Sequence, residues 1–177
     1  RVARAAAATV AAGEEAAPPP PPPFQPSEQL GATDPLGFFD PLGFTKVGDE
    51  AGFNKLRSSE LKHGRVAMMA SVGLLGQHFI KFPGFDQTPA GLGAVGTGEG
   101  VIGFFGVFLL SGVLELAWRE RDGVAPGNFG DPLGFKMYDT DMRNREINNG
   151  RFAMICVLGI FMAELASGKD AIQQFGL

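Results

Sequence analysis

The sequence predicts an all-α membrane protein with three transmembrane helices, the first and third crossed and related by a pseudo-two-fold axis along the membrane normal. Three apolar stretches, residues 66–80, 101–118 and 147–167, approach the roughly 20 residues needed to cross a bilayer. A motif at the head of the first stretch returns at the head of the third. The mean hydropathy of +0.07 conceals these stretches, because a proline-rich head and long polar connectors dilute them. A net charge of −4 gives no basic field of the kind nucleic acids require. The single cysteine, Cys156, excludes an internal disulfide and a zinc cluster and reads as a buried structural thiol inside the third stretch.

Residues 1–33 read as an Ala/Pro-rich N-terminal segment outside the membrane domain. Nine alanines fall in the first 17 positions, with Arg1 and Arg4 and no acid before Glu14. This start resembles the remnant of an organelle-targeting sequence, and the absence of an initiating Met suggests removal of something upstream. Six prolines at 18–23 predict an extended spacer. The membrane domain then covers residues 34–177.

The first helix is expected over about 54–80, because its pattern extends back from the apolar stretch through Leu61 and Leu56. The second is expected over about 99–119, with Glu115 as its internal acid and Arg119 four residues on. The third is expected over about 142–167, and a short C-terminal amphipathic helix could follow it. Seven cations, Lys46, Lys55, Arg119, Arg121, Lys136, Arg143 and Arg145, lie on the side of the N-terminus, against Lys81 and Lys169 on the other. By the positive-inside rule the N-terminus faces the compartment of insertion.

The repeat is the most informative feature. Glu60-Leu61-Lys62-His63-Gly64-Arg65-Val66-Ala67-Met68 returns 86 residues later as Glu146-Ile147-Asn148-Asn149-Gly150-Arg151-Phe152-Ala153-Met154. An Asp-Pro-Leu-Gly-Phe loop precedes each copy, at 40–44 and 131–135, with a further loop at 34–38. One helix separates the copies, so both cross in the same sense and set Glu60 and Glu146 at equal depth.

An unpaired charge in a membrane helix costs about 2.5–3.5 kcal/mol on insertion scales. At a five-residue separation Glu60 and Arg65 point about 140° apart, as do Glu146 and Arg151, so neither pair closes on its own helix. Glu60 is therefore expected to meet Arg151, and Glu146 to meet Arg65. Gly64 and Gly150, with Ala67, Ser71 and Ala153, suit a close crossing. A helix dimer within one chain would need no more. That reading leaves His63 and Asn149 unexplained, each on the face of its Glu. The magnesium of a chlorin ring needs an axial ligand, and an imidazole nitrogen, an amide oxygen or a charge-balanced carboxylate supplies one.

On these residues the chain resembles the three-helix light-harvesting chlorophyll-binding proteins. Glu60-Leu-Lys-His-Gly-Arg with the Phe82-Pro83-Gly84 exit resembles the chlorophyll a/c antennae of algae, the fucoxanthin and peridinin branch. The resemblance covers about residues 34–177. It implies an antenna rather than an enzyme, in the plastid thylakoid membrane with a stromal N-terminus. It implies Glu60, His63, Glu146 and Asn149 as magnesium ligands, Arg65 and Arg151 as locks of the ion pairs, and Glu115 as a further ligand. A helix-end salt bridge with Trp118 as a membrane-belt residue is the alternative for Glu115. The family often places a ligating Gln 17 residues after the repeat Glu. Here that position is Gln77 in the first helix, followed by His78, and Ala163 in the third, followed by Glu164. The implied cofactors are chlorophyll a, chlorophyll c and carotenoids of peridinin or fucoxanthin type with a diadinoxanthin-like xanthophyll. Two carotenoids would lie in the grooves of the crossed helices, their ends capped by the Asp-Pro-Leu-Gly loops. The implied partners are a photosystem core, I or II, neighbouring antenna subunits and thylakoid lipids. Two other functions stay open, a photoprotective dissipator on the same scaffold and, from a different class, a small transporter, which would favour broken helices and a midplane site.

Overall fold

The computed structural model describes residues 22–117, 123–129, 134 and 138–176. The Ala/Pro-rich start through residue 21, Trp118, Arg119, and all of the third Asp-Pro-Leu-Gly-Phe loop but Gly134 lie outside the described residues. Within them the fold is helical, with no strand beyond one isolated bridge between Thr33 and Gly37. Three long helices carry it: α1 (Glu50–Phe79), α2 (Gly98–Ala117) and α3 (Thr140–Ser167).

Local chemistry sets the helix ends. Asp49 caps α1, its carboxylate accepting from the Gly52 N–H at 2.9 Å, so α1 begins four residues before the apolar pattern would start it. Asp139 caps α3 in the same way through Met142 N–H at 2.7 Å. In each case the side-chain oxygen satisfies a backbone donor that has no partner inside the helix. Thr97 Oγ1 accepts from Gly100 N–H at the start of α2. Gly168 ends α3 in the left-handed conformation, its N–H returning to the Glu164 carbonyl.

α1 and α3 cross, and their shared seam is the core. Leu61, Gly64 and Ala67 of α1 are buried against Ile147, Gly150 and Ala153 of α3. Each residue of one set stands 86 positions from its counterpart in the other, so the repeat seen in sequence is also the packing unit. At the crossing the backbones touch: a Cβ on Gly64 would lie 3.0 Å from Gly150 Cα, and a Cβ on Gly150 would lie 3.0 Å from Gly64 Cα. This is how small residues bring membrane helices together.

α2 stands apart. No residue of it is buried, and it packs chiefly on the 3-10 turn Gly91–Gly96. Phe85 reaches the α2 flank at Gly103, where a Cβ would lie 2.9 Å from its ring. By length and composition α2 and α3 are apolar enough to cross a membrane, whereas α1 is diluted by its polar head. At 1.5 Å per residue, the 30 residues of α1 make a helix about 45 Å long.

Two expectations change. The residues after α3 form a short 3-10 turn, Gln173–Phe175, rather than an amphipathic helix. Asp170 satisfies the Ile172 and Gln173 N–H groups and Gly176 stops the turn at φ 80, leaving no length for helical turns to propagate. Cys156 is half-buried rather than buried, because it lies beside the seam and not in it.

Within residues 24–33, part of the expected N-terminal segment, Phe24, Leu30 and Gly31 meet residues of α1 and α3. The Phe24 ring packs at a tilt against Phe53, centroids 5.3 Å apart, and its carbonyl accepts from Gly48 N–H. Gly37, Gly43 and Gly134 of the Asp-Pro-Leu-Gly loops have φ of 61, 66 and 69, the left-handed conformation that a side chain would strain.

Candidate functional site

The charged residues of the repeat meet across the seam. Arg65 Nε donates to Glu146 Oε1 at 2.6 Å, and Arg151 Nε donates to Glu60 Oε1 at 2.7 Å. Each guanidinium also holds the segment that leads into the opposite helix. Arg65 Nη2 donates to the Gly127 carbonyl at 2.9 Å, and Arg151 Nη1 to the Gly31 carbonyl at 2.6 Å. Arg65 further lies over the Phe129 ring at 5.5 Å. Gly31 and Gly127 thus take equivalent places, each a few residues ahead of an Asp-Pro-Leu-Gly-Phe sequence.

A third arginine enters the network. Arg57 Nη1 donates to Glu60 Oε2 at 2.5 Å, and Nη2 to the Leu30 carbonyl at 2.5 Å. Sequence reasoning passed over it, although the signal was present: Arg57 and Arg143 stand at the same 86-residue offset, three positions ahead of the repeat as first delimited. Arg143 sits over the Tyr138 ring at 4.9 Å instead of on Glu146.

His63 is exposed on α1. Its Nδ1 lies 2.7 Å from the Ser59 carbonyl, and since a carbonyl only accepts, Nδ1 carries the hydrogen. In that tautomer the free lone pair is on Nε2, the arrangement that backbone partners impose on metal-binding histidines. Asn149 is exposed at the equivalent place on α3. Each opens on an apolar groove flanking the seam. The groove of His63, about 640 Å³, is lined by Val66, Ala70, Met154, Leu158 and Phe161. The groove of Asn149, about 760 Å³, is lined by Phe152, Cys156, Met68, Val72 and Leu75. Every residue of one set is the 86-residue counterpart of one in the other. Glu60 faces a further hollow of about 650 Å³ beneath Leu36, Phe38, Phe39 and Phe44, and Glu146 one of about 830 Å³ beside Tyr138 and Pro126.

The remaining candidates are spread out. Glu115 of α2 is bound by Lys62 of α1 at 2.5 Å, a partner the sequence reading did not consider, while Arg119 lies outside the described residues. Gln77 is half-buried and its Nε2 has no hydrogen-bond partner. At this far end α1 and α3 again exchange partners. His78 Nδ1 lies 3.0 Å from Asp170 Oδ2 after α3, while Glu164 Oε1 accepts from Leu92 N–H at 2.6 Å after α1. Burial works against the Asp170 carboxylate, but the Gln173 N–H, His78 and the Ile172 N–H outweigh it and hold its pKa below the usual range.

The donor set fits magnesium in a chlorin. It offers an imidazole nitrogen, an amide oxygen and carboxylate oxygens balanced by arginine, each beside apolar space. Among the described residues no three acids, histidines or cysteines gather, so single axial donors are what this surface provides.

Comparison with known proteins gives one answer. The family model described as chlorophyll A-B binding protein matches residues 25–165. A fucoxanthin-chlorophyll a-c binding protein A of Macrocystis pyrifera is 36% identical over 162 residues, 81% of this chain and 75% of that protein. A fucoxanthin-chlorophyll a-c binding protein of Trieres chinensis is 34% identical over 165 residues, 81% of each. A light-harvesting complex stress-related protein 1 of Chlamydomonas reinhardtii is 30% identical over 167 residues, 76% of this chain and 66% of that protein.

Proposed function

The chain belongs to the chlorophyll A-B binding protein family, light-harvesting antenna proteins rather than enzymes, and from that premise we propose that it harvests light in a plastid thylakoid membrane, holding chlorophyll a, chlorophyll c and carotenoids. The observation that carries this is the pair of grooves, lined by residues in 86-residue register and each opening on one exposed donor, His63 or Asn149. A packing seam alone calls for neither grooves nor donors.

In this reading α1, α2 and α3 all span. α1 is about 45 Å long, so its polar head stands clear of a hydrocarbon core roughly 30 Å thick. The exposed apolar residues of α2, Phe104, Phe105 and Phe108 among them, face pigment and lipid. The N-terminus is stromal and the pigment-binding unit begins near Phe24. Glu60, His63, Glu146 and Asn149 ligate magnesium, Arg65 and Arg151 hold the carboxylates in charge balance, and Glu115 and Gln77 ligate further pigments. Carotenoids of fucoxanthin or peridinin type, with a diadinoxanthin-like xanthophyll, occupy the grooves. Bound chlorophyll supplies the excited state, and the protein sets spacing and orientation through a rigid crossing. Excitation passes through neighbouring antenna subunits to a photosystem core, with thylakoid lipids filling the periphery.

A second reading, dissipation of excess excitation as heat, draws on the likeness to the stress-related protein. Refolding the full chain with chlorophylls a and c and fucoxanthin tests both. Harvesting predicts energy transfer from carotenoid and chlorophyll c to chlorophyll a with a long fluorescence lifetime. A short lifetime at neutral pH supports dissipation, and a stable colourless bundle refutes both.

A further inference from the structure

The two repeat carboxylates occupy equivalent places, yet their surroundings differ. Both oxygens of Glu60 accept guanidinium N–H groups, Oε1 from Arg151 and Oε2 from Arg57. Among the described residues a single guanidinium, that of Arg65, reaches Glu146, and it does so at Oε1. The counterpart of Arg57 is present in the chain as Arg143 but is turned onto Tyr138. No aromatic residue stands at the corresponding position before Arg57, where residue 52 is Gly. Arg57 instead rests on Phe53 at 5.1 Å and is anchored by the Leu30 carbonyl. Among the described residues Glu60 thus accepts from one more guanidinium than Glu146 does.

We infer that Arg57 is a positioning residue that makes Glu60 the weaker and electrostatically distinct of two otherwise equivalent magnesium ligands. The inference rests on the reading of Glu60 and Glu146 as ligands. Charge-assisted hydrogen bonds of this kind engage carboxylate lone pairs strongly and so compete with any other acceptor of those lone pairs. An oxygen already shared with a guanidinium has less electron density to give to magnesium. Glu146 Oε2 has no such competitor among the described residues, so its pigment is held more tightly. The second guanidinium held on the Glu60 carboxylate also makes the surroundings of the two pigments differ, and so separates their absorption bands. An antenna gains from this, because two copies of one motif then hold pigments of different energy.

The test is pigment exchange. The full chain is refolded with chlorophyll a and fucoxanthin, and release is followed by exchange against deuterated chlorophyll a. The phases belonging to the two pigments are those lost in the double variants Glu60→Leu/Arg151→Leu and Glu146→Leu/Arg65→Leu, each of which removes a whole pair. In the unaltered protein the Glu60 phase is expected to be several-fold faster, a comparison that does not require Arg57 variants to fold. Arg57→Leu should slow that phase to the Glu146 rate and draw the two absorption bands together. Arg57→Lys, which keeps the charge, should preserve the difference, and Arg143→Leu should leave both phases as they are. Equal rates in the unaltered protein, faster release in Arg57→Leu, or convergence of the phases in Arg57→Lys would overturn the inference. Loss of no chlorophyll in either double variant would instead refute ligation by these carboxylates.

Discussion

Removal of one arginine from each reciprocal pair should have unequal effects. Arg65→Leu removes the Arg65 cation from Glu146 and the Arg65 hydrogen bond from the Gly127 carbonyl. Breaking a buried pair costs roughly 3–5 kcal/mol, but both side chains keep about 30% of their exposure, 31% and 29%, so screening brings this term to about 2–3 kcal/mol. A lost hydrogen bond from a charged donor adds about 1.5–3 kcal/mol. Arg151→Leu loses the equivalent bonds to Glu60 and the Gly31 carbonyl. Glu60, however, keeps Arg57 at 2.5 Å, and that remaining charge-assisted bond should offset about 1.5–3 kcal/mol of the damage. The assay is a double-mutant cycle on yield and melting of the pigment-loaded complex. Arg65→Leu should be the more damaging, and Glu146→Leu/Arg65→Leu should recover part of the fold without recovering the lost pigment. Equal damage from the two arginine variants, or coupling of Arg65 to Glu60 in place of Glu146, would refute the reasoning.

Three further outcomes follow from the same geometry. His63→Leu and Asn149→Leu should each lose mainly one chlorophyll with little loss of fold, since neither strands a charge; pigment stoichiometry by extraction checks this, and unchanged stoichiometry in both removes them as ligands. Gly64→Ala and Gly150→Ala should each force the helices apart at a 3.0 Å contact with backbone, at a cost of about 1–3 kcal/mol, read as reduced melting of the complex. Asp170 has a folded pKa below its ordinary 3.8, so the stability it adds is complete above about pH 4 and is lost as pH falls through the lower folded value. Proteolysis of the C-terminal segment should therefore show no Asp170-dependent change between pH 7 and 5, whereas Asp170→Asn should expose it throughout.

Arg57 and Lys62 mark where the sequence stopped speaking. Arg57 stands three residues before Glu60, a spacing that helices commonly use, and yet it draws equally on Leu30, which is remote in the chain. Lys62 looks like a solvated cation of the repeat until α2 brings Glu115 beside it. In the same way, nothing in the repeat announces that Gly31 and Gly127 meet opposite arginines.

What the sequence by itself determined is the duplicated helix, its need for charge partners and the family to which it belongs. Those properties reside in residue type and spacing along one strand of chain: an 86-residue offset, a Glu and an Arg too far apart around a helix to meet, a Gly at matching depth. Tertiary structure alone decided how the two copies differ. Arg57 lies on Glu60 while Arg143 lies on Tyr138, and the residues after α3 close on His78 where those after α1 close on Glu164. The physical reason is that each of these contacts is set by residues outside the repeat: Leu30 anchors Arg57, Tyr138 draws Arg143, and the segments after α3 and α1 fold back onto His78 and Glu164. Where such residues land depends on backbone path and competing partners, and no periodicity within a helix encodes that.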